Sequence, residues 1–233
     1  MTLDTDMGNY GRKTLDVMDR AEWYNKWLID TACQYLKGEI LEVGFGIGSF
    51  TTKLSKYGYV TAIDVNYDYI KEGKRRFGER VGFGDIEKGK YFFGKKKFDC
   101  IFCSNVLEHI KDDKKAVKNM FNLLKKGGYL VLNVPAHMIL YSKVDKNLGH
   151  YRRYTTKHLE SVLSTASCEI VKVLYINWWA ALGWWLFVKV LKLESIPKDK
   201  VSLFNFFGKY LLWIEKFVSM PFGLSVFAVA KKL

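Results

Sequence analysis

From Ile40 to Phe50 the chain reads ILEVGFGIGSF, with Gly44, Gly46 and Gly48 at alternate positions and an acid, Glu42, just ahead of them. Glycines so spaced let the backbone come close to a ligand, and a bend at a helix entrance aims amides toward it. A dinucleotide loop of the form G-x-G-x-x-G or G-x-G-x-x-A would want glycine or alanine where Ser49 stands, and an acid beside the loop suits pyrophosphate poorly. Glu42 and Ser49 therefore disfavour a nicotinamide-dependent oxidoreductase and favour a ligand bearing an ammonium or sulfonium. Twenty positions after Gly44, Asp64 ends the run VTAID, with Val65 beside it, where a carboxylate can accept two hydrogen bonds from ribose hydroxyls. The alternative for Asp64 is a cap on the helix YDYIKEGKRRF. Asp85, in VGFGDIEKG, falls at the edge of the same crevice and could bind an adenine amino group while Ile86 packs on the ring; taken alone, it is a turn residue.

Two histidines could act as general base toward a hydroxyl acceptor, His109 in LEHI and His150 in LGHYRRYT. His109 has a second reading, as an orienting residue hydrogen-bonded to backbone. The segment DKNLGHYRRY brings His150, Tyr151, Arg152, Arg153 and Tyr154 together, and two adjacent guanidinia could grip a phosphate or carboxylate bidentately. Its alternative is a solvated basic loop.

These residues need elements to position them. From residue 39 to 134 short apolar, β-branched runs (EILEV, YVTAID, RVGFGD, FDCIFCS, YLVLNVP) alternate with helical patterns (FTTKLSKYG, YIKEGKRRF, KKAVKNMFNLLKKGG). That alternation implies βαβ units, a parallel sheet and helices on both faces, a doubly wound α/β fold. Gly127 and Gly128 read as a helix stop ahead of a new strand. RAEWYNKWLIDTACQYLKG should be a helix leading into the first strand. TTKHLESVLSTA reads as a helix capped by Thr155 or Thr156, and CEIVKVLYI and LSVFAVAKKL read as the last two strands.

The chain is expected to be one domain: a helical cap over 1–38, a core of sheet and helices over 39–175, an aromatic-rich helical insertion over 176–223 and a final strand over 224–233. In the insertion, NWWAALGWWLFVKV is too short, and too interrupted by Asn177 and Lys189, to cross a membrane. Together with SLFNFFGKYLLWIEKFV it reads as two amphipathic helices. They either cap the sheet as core or dimer contact, or lie at a membrane interface or roof an apolar pocket.

A length of 233 residues with 49% apolar and 16% aromatic composition suffices for one large core. The net charge of +13, from 37 Lys plus Arg against 24 Asp plus Glu, attracts anionic material without choosing its kind. Cys33, Cys100, Cys103 and Cys168 show no disulfide framework, and the period of a strand points Cys100 and Cys103 to opposite faces. No metal-ligand set is assigned. The first twenty residues lack the apolar core of a signal peptide, so a cytoplasmic setting with membrane association is expected.

From about Arg20 to Ala136 the chain resembles the class I S-adenosylmethionine-dependent methyltransferases, of the small-molecule, lipid or glycan type. EVGFGIG is similar to their first motif, Asp64 to their ribose-binding acid, Asp85 to their adenine contact and FDCIFCSNVLEHI to their fourth-strand motif. The resemblance implies a Rossmann-like seven-stranded sheet, mostly parallel with the last strand antiparallel. It implies S-adenosylmethionine as cofactor and S-adenosylhomocysteine as product. Glu42 and the amides from Gly44 to Gly48 would face the methionine end, and Asn105, Val106 and Glu108 would line the pocket beside the sulfonium. At Phe45, within the loop, the family more often has a smaller residue. Tyr10 and Tyr24 join the acceptor side because the amino-terminal segment commonly folds over the pocket in such enzymes.

The residues expected to act in catalysis are thus His109, His150 and Tyr151, with Tyr10, Tyr24, Arg152 and Arg153 binding the acceptor. Members that methylate base amino groups carry Asn or Asp followed by Pro-Pro and an aromatic after the fourth strand; Ser104-Asn105-Val106-Leu107 stands there instead, so nucleic acid is disfavoured. The expected activity is methyl transfer to a small or amphipathic acceptor, such as a lipid-linked sugar or a prenylated ring at the membrane surface, with a homodimer as an assembly. The rival is a non-catalytic binding or scaffold protein that uses the aromatic insertion as an interface.

Overall fold

The computed structural model of the chain describes residues 3–186 and 220–233, with side chains from residue 10 onward. Two helices, α1 (Leu3–Asp19) and α2 (Glu22–Ala32), precede a run of strands and helices: β1 (Gly38–Val43), α3 (Thr51–Leu54), β2 (Gly58–Asp64), α4 (Tyr67–Phe77), β3 (Val81–Asp85), β4 (Lys90–Tyr91), β5 (Phe98–Ser104), α5 (Asp113–Leu123) and β6 (Leu124–Pro135). Then come α6 (Lys143–Asn147), α7 (Thr156–Leu163), β7 (Cys168–Ile176), α8 (Trp178–Trp184) and β8 (Ser225–Lys232). They build one sheet in the order β4-β3-β2-β1-β5-β6-β8-β7. The central pairs β3/β2, β2/β1, β1/β5 and β5/β6 are parallel, and β8 runs antiparallel to both β6 and β7. This is the mostly parallel sheet with its antiparallel last strand; the eighth strand beyond the expected seven is the two-residue β4, which pairs antiparallel with β3 at the edge.

The sheet is buried on both faces, which is why its central strands are almost continuously apolar. One core packs Leu41, Ile101, Cys103 and Leu132 against Ala116, Val117 and Met120 of α5 and Leu159, Val162 and Leu163 of α7. The other packs Ile40, Val60, Cys100 and Phe102 against Val17 of α1, Leu28 and Ile29 of α2, and Leu54 of α3. Cys100 and Cys103 thus lie on opposite faces of β5, both buried with their thiol pKa values pushed up by burial. Both are inert packing groups.

Local signals decide where helices begin. Asn66, rather than Asp64, caps α4, its side-chain oxygen accepting from the amides of Asp68 at 2.9 Å and Tyr69 at 3.4 Å. Thr155 caps α7 through the amide of His158 at 3.1 Å. The Gly127-Gly128 pair is not the helix stop: α5 ends at Leu123 and Leu124 is already extended. The glycines fall inside an irregular stretch of β6, where the pairing with β5 jumps from Phe98↔Leu124 to Cys100↔Tyr129. Of the expected insertion, α8 and the approach to β8 from residue 220 are described; Lys189 and SLFNFFGKYLLWIEKFV lie outside the described residues. Among the described residues no helix is long and apolar enough to cross a membrane.

Candidate functional site: a crevice at the carboxyl ends of β1, β2 and β5

The strand order reverses at β1, whose neighbours β2 and β5 lead away in opposite directions. A crevice at that switch point is where open parallel sheets bind ligands. The glycine loop emerges there directly from β1. Gly44 has φ +80°, and a Cβ at that position would overlap Cγ2 of Val106. Both conformation and close approach therefore demand glycine. The loop is braced from within: the amides of Gly44 and Phe45 donate to the Ile63 carbonyl at 2.9 and 3.0 Å, and the amide of Gly48 donates to the Phe45 carbonyl at 2.9 Å. Arg76 donates to the Ile47 carbonyl at 2.6 Å. These amides hold the bend and do not point as free donors into the crevice, contrary to the expectation that Gly44 to Gly48 offer theirs to a ligand.

Phe45 is the large residue of the loop, where a smaller one is more common. Its ring is 3% exposed and packs with Ala62 and Val81, edge-on to Phe77 at 5.9 Å, in a space that exists because Gly73 lacks a side chain. Phe45 thereby fastens the loop to α4.

Two carboxyls flank the bend. Glu42 shares the face of Ile40 on β1, two residues on. It is 2% exposed, accepts a hydrogen bond from the Thr51 hydroxyl at 2.6 Å, and has no ion pair among the described residues. Burial pushes its pKa up to about 8, against the pull of Thr51, and nearby Asp64 pushes the same way. Asp64, at the end of β2, accepts one hydrogen bond on each oxygen, from the amides of Gly46 and Asn66, both at 2.8 Å. Burial raises its pKa while these amides work to lower it. Each oxygen retains a lone pair for a further donor. Val65 beside it is exposed.

Further along, Asp85 closes β3 but is engaged in its own turn, taking the amide of Lys88 at 2.9 Å and its ammonium at 3.1 Å. Ile86 is 4% exposed, and its carbonyl accepts from Asn119 at 2.8 Å. As placed, both serve the turn after β3.

On the other side of β1 the chain leaves β5 through Asn105, which has φ +53°, a left-handed conformation that is costly for a residue with a side chain. Val106 then covers Gly44, and Glu108 and His109 lie in a single 3-10 turn. Glu108 is completely buried; burial raises its pKa to about 7, partly offset by His150 and Arg153. No other residue among those described donates a hydrogen bond to either of its carboxyl oxygens. His150 brings Nε2 to 4.0 Å from Glu108 Oε1, and its ring stands perpendicular to that of His109 with centroids 4.5 Å apart. His109 keeps part of its surface in solvent, yet desolvation first and His150 second lower its pKa to about 4, so it is neutral at pH 7.

Behind His150 stands Asp145, a residue that sequence reasoning missed. Its Oδ1 lies 3.0 Å from His150 Nδ1 and 2.7 Å from Arg153 Nε, its Oδ2 lies 3.1 Å from Arg153 Nη2, and Ser142 donates to it through amide and hydroxyl at 2.9 Å. Burial works to raise its pKa, but His150 and Arg153 hold it down at about 2. Arg153 is thereby 4% exposed and fully occupied, and Arg152 donates to Asp113 and to the Lys111 carbonyl, both at 2.7 Å. The expected anion grip by these two arginines is not formed: both guanidinia neutralise internal carboxylates. Tyr151 is 57% exposed, and its amide donates to the Glu108 carbonyl at 2.8 Å, which fixes the His150 segment against the end of β5.

The amino-terminal helices close over the loop. Leu15 of α1 lies above Gly46, and Arg12 reaches Glu72 of α4 at 2.8 Å. Tyr10 belongs to this same helix. Tyr24, on α2, is 4% exposed with its hydroxyl 3.5 Å from Asn133 Nδ2, which also donates to Ser104 at 3.0 Å. Tyr24 is thus a core residue whose polar tip meets the strand ends. Asn133 and Thr51 carried no signal in sequence; Asp145 carried one, an acid five positions ahead of a histidine.

Residues 41–132 match the family described as methyltransferase domain. The ubiquinone/menaquinone biosynthesis C-methyltransferase UbiE of Vibrio cholerae is 28% identical over 118 residues, 47% of this chain and 45% of that protein. The chain spans less than half the length of the curated relatives it matches. Among solved structures, an S-adenosylmethionine-dependent methyltransferase from Clostridium acetobutylicum superposes with a TM-score of 0.58 at 16% identity over 91% of each chain. The N-methyltransferase NodS of Bradyrhizobium japonicum, solved with S-adenosyl-L-homocysteine, gives 0.53 at 18% identity over 88% of this chain and 83% of its own. Residues 41–132, with the glycine bend at the switch point of such a sheet, thus match a methyltransferase domain, and the sheet as a whole has the fold of the S-adenosylmethionine-dependent methyltransferase from Clostridium acetobutylicum.

Proposed function

We propose that the chain transfers a methyl group from S-adenosylmethionine to a small or amphipathic acceptor held between the glycine loop and the His109 and His150 side chains. The observation that carries this reading is Glu42: a buried carboxyl with a hydroxyl for a partner and no ion pair among the described residues, at the root of a bend where Gly44 leaves no room for a side chain. Such a group is disfavoured in its charged form until a cation arrives. A cofactor with an ammonium and a sulfonium supplies that cation, whereas a nicotinamide dinucleotide brings pyrophosphate.

In this reading Glu42 and the loop from Gly44 to Gly48 take the methionine end, Asp64 and Val65 the ribose, and Asp85 and Ile86 the adenine. Asn105, Val106 and Glu108 border the methyl-bearing sulfur. When bound, the cofactor supplies a methyl already activated for displacement, so the protein's work is to place the acceptor and keep water out. His109, neutral at pH 7, can take a proton from a hydroxyl acceptor. Tyr10 and Tyr24 sit on the helices that cover the site, and Tyr151 lies at its rim.

An amphipathic acceptor at a membrane surface is supported by exposed apolar side chains just past β6, on α8 and just after it: Met138, Ile139, Leu182, Trp185 and Leu186. Trp184 ties the two segments together, donating to the Leu140 carbonyl at 3.1 Å, while its ring lies against Arg153 at 4.8 Å. That patch adjoins the His150 side of the site, so an acceptor could keep its apolar part in lipid. The test is incubation with labelled cofactor and liposomes carrying prenylated or lipid-linked acceptors, alongside calorimetry with S-adenosylmethionine and S-adenosylhomocysteine. Saturable binding of both, with lipid-dependent label transfer, supports the reading. Binding of neither would favour the scaffold alternative, and transfer indifferent to lipid would remove the membrane from the account.

A further inference from the structure

We propose that Glu108, His109 and His150 form a binding site for a divalent first-row metal ion of the zinc class. Sequence spacing assigns no such set, because the histidines come from distant segments: Glu108 and His109 from the turn after β5, and His150 from the segment after α6. The fold brings one ligand-capable atom of each within 4.8 Å of the others. Ligand atoms held tetrahedrally about 2.1 Å from zinc lie roughly 3.4 Å apart. Closing the remaining distance asks for up to about 1.4 Å, within reach of side-chain rotation.

Three observations favour an ion over a chance cluster. The first is Glu108, completely buried with neither carboxyl oxygen accepting a hydrogen bond from another residue among those described. A buried carboxyl without donors is costly, and a bound cation removes the cost. The second is the arrangement behind His150. Asp145 holds its Nδ1 at 3.0 Å and so turns Nε2 toward Glu108. A carboxylate that orients an imidazole from behind and raises its basicity is the usual support of a metal-bound histidine. Asp145 is itself fixed by Arg153 and Ser142, so the support is rigid. The third is His109, whose ring stands perpendicular to that of His150 with centroids 4.5 Å apart, so that both imidazoles share one space beside Glu108.

Two imidazoles and one carboxylate suit zinc, cobalt, nickel or iron(II) better than magnesium or calcium, which prefer all-oxygen sets. Three protein ligands leave a coordination position open, and the partly exposed His109 side gives it access to solvent. Water or an oxygen of an acceptor fits that position, and with the ion bound His109 serves as a ligand in place of the proton acceptor described above. This use of the ion rests on the methyl-transfer reading; the site itself does not.

The test uses the untagged full chain, stripped with chelator and titrated with Co2+ while the visible absorption is followed. One saturable equivalent with a ligand-field band, displaced by Zn2+, is expected. His150→Ala and Glu108→Gln should each weaken Co2+ binding at least tenfold, while His158→Ala, an exposed histidine on α7, should leave it unchanged. Asp145→Asn should weaken it about tenfold to hundredfold without removing a ligand. Zn2+ should raise the melting temperature of the wild type, a readout that needs no variant to fold. Absence of a saturable band and of a zinc-induced shift in the wild type would overturn the site, as would a band that survives both ligand substitutions. Calorimetry with S-adenosylmethionine on the same preparations separates the two proposals: cofactor binding without Co2+ binding overturns the metal site alone, and the converse overturns the methyl-transfer reading alone.

Discussion

Two carboxyls on opposite sides of the crevice, Glu42 and Asp145, are held in opposite ways. On the loop side, Glu42 is buried beside a hydroxyl, and burial carries its pKa to about 8. On the histidine side, Asp145 is equally sequestered yet sits near 2, because Arg153 and His150 hydrogen-bond the charged form. Burial is common to both; the partner decides the charge. The loop side thus waits for a cation from outside, while the Asp145 network is already neutralised and serves to position His150.

Substitutions can break this contrast, and the largest effect belongs to the neutralised side. Asp145→Ala leaves the buried Arg153 guanidinium uncompensated and should cost about 3–5 kcal/mol, read as a lower denaturant midpoint. Cofactor affinity measured on the folded fraction should stay within a few fold. If the loss were below about 1 kcal/mol, the network would not be the rigid support described.

Glu42→Gln should do the reverse. It keeps the volume and a partner for Thr51, and should weaken S-adenosylmethionine about tenfold, since hydrogen bonds to charged groups are worth about 1.5–3 kcal/mol. Stability carries a sign as well. Native Glu42 keeps its proton up to about pH 8, while the unfolded carboxyl loses it near the ordinary value of 4.5. Between those values the native state binds more protons, so this residue makes stability fall as pH rises, by no more than about 1.4 kcal/mol per unit. Thermal melts from pH 5 to 8 should be flatter in the variant than in the wild type. Cofactor binding below pH 8 should release a proton, visible as a calorimetric heat that depends on the buffer.

The smallest effect is expected at the rim. Ile139→Glu places a charge on a side chain that is 79% exposed, so folding should change by less than about 0.5 kcal/mol. Sedimentation with anionic liposomes should fall several fold. Unchanged sedimentation would detach the apolar patch from any membrane role and leave the loop side of the contrast intact.

The two halves also differ in how far the sequence discloses them. Glu42, the three glycines and Asp64 are local features of strand ends, fixed by the alternation of strand and helix, and they are found from spacing alone. The strands read as CEIVKVLYI and LSVFAVAKKL were legible too; the second forms as SVFAVAKK, one residue shorter at each end. What escaped depends on distant packing. Phe45 has no local reason to stand in a loop; Gly73 of α4 makes room for it, and the glycine amides are claimed by the Ile63 and Phe45 carbonyls and the Asp64 carboxylate. Arg152 and Arg153 read as an anion grip because nothing near them in sequence shows that Asp113 and Asp145 would fold against them. The helix stop was placed at Gly127 because a glycine pair is a strong local signal, yet pairing with β5 draws the preceding residues into the strand from Leu124 onward.

The central claim is that a carboxylate-flanked glycine bend holds a cationic sulfur cofactor and that a second acid takes its sugar. It is tested most directly by titrating S-adenosylmethionine calorimetrically into the wild type and into Asp64→Lys, with circular dichroism confirming that both are folded. Saturable binding to the wild type and a loss of about a hundredfold or more in the variant is the expected result. Equal affinity in the two proteins would contradict it.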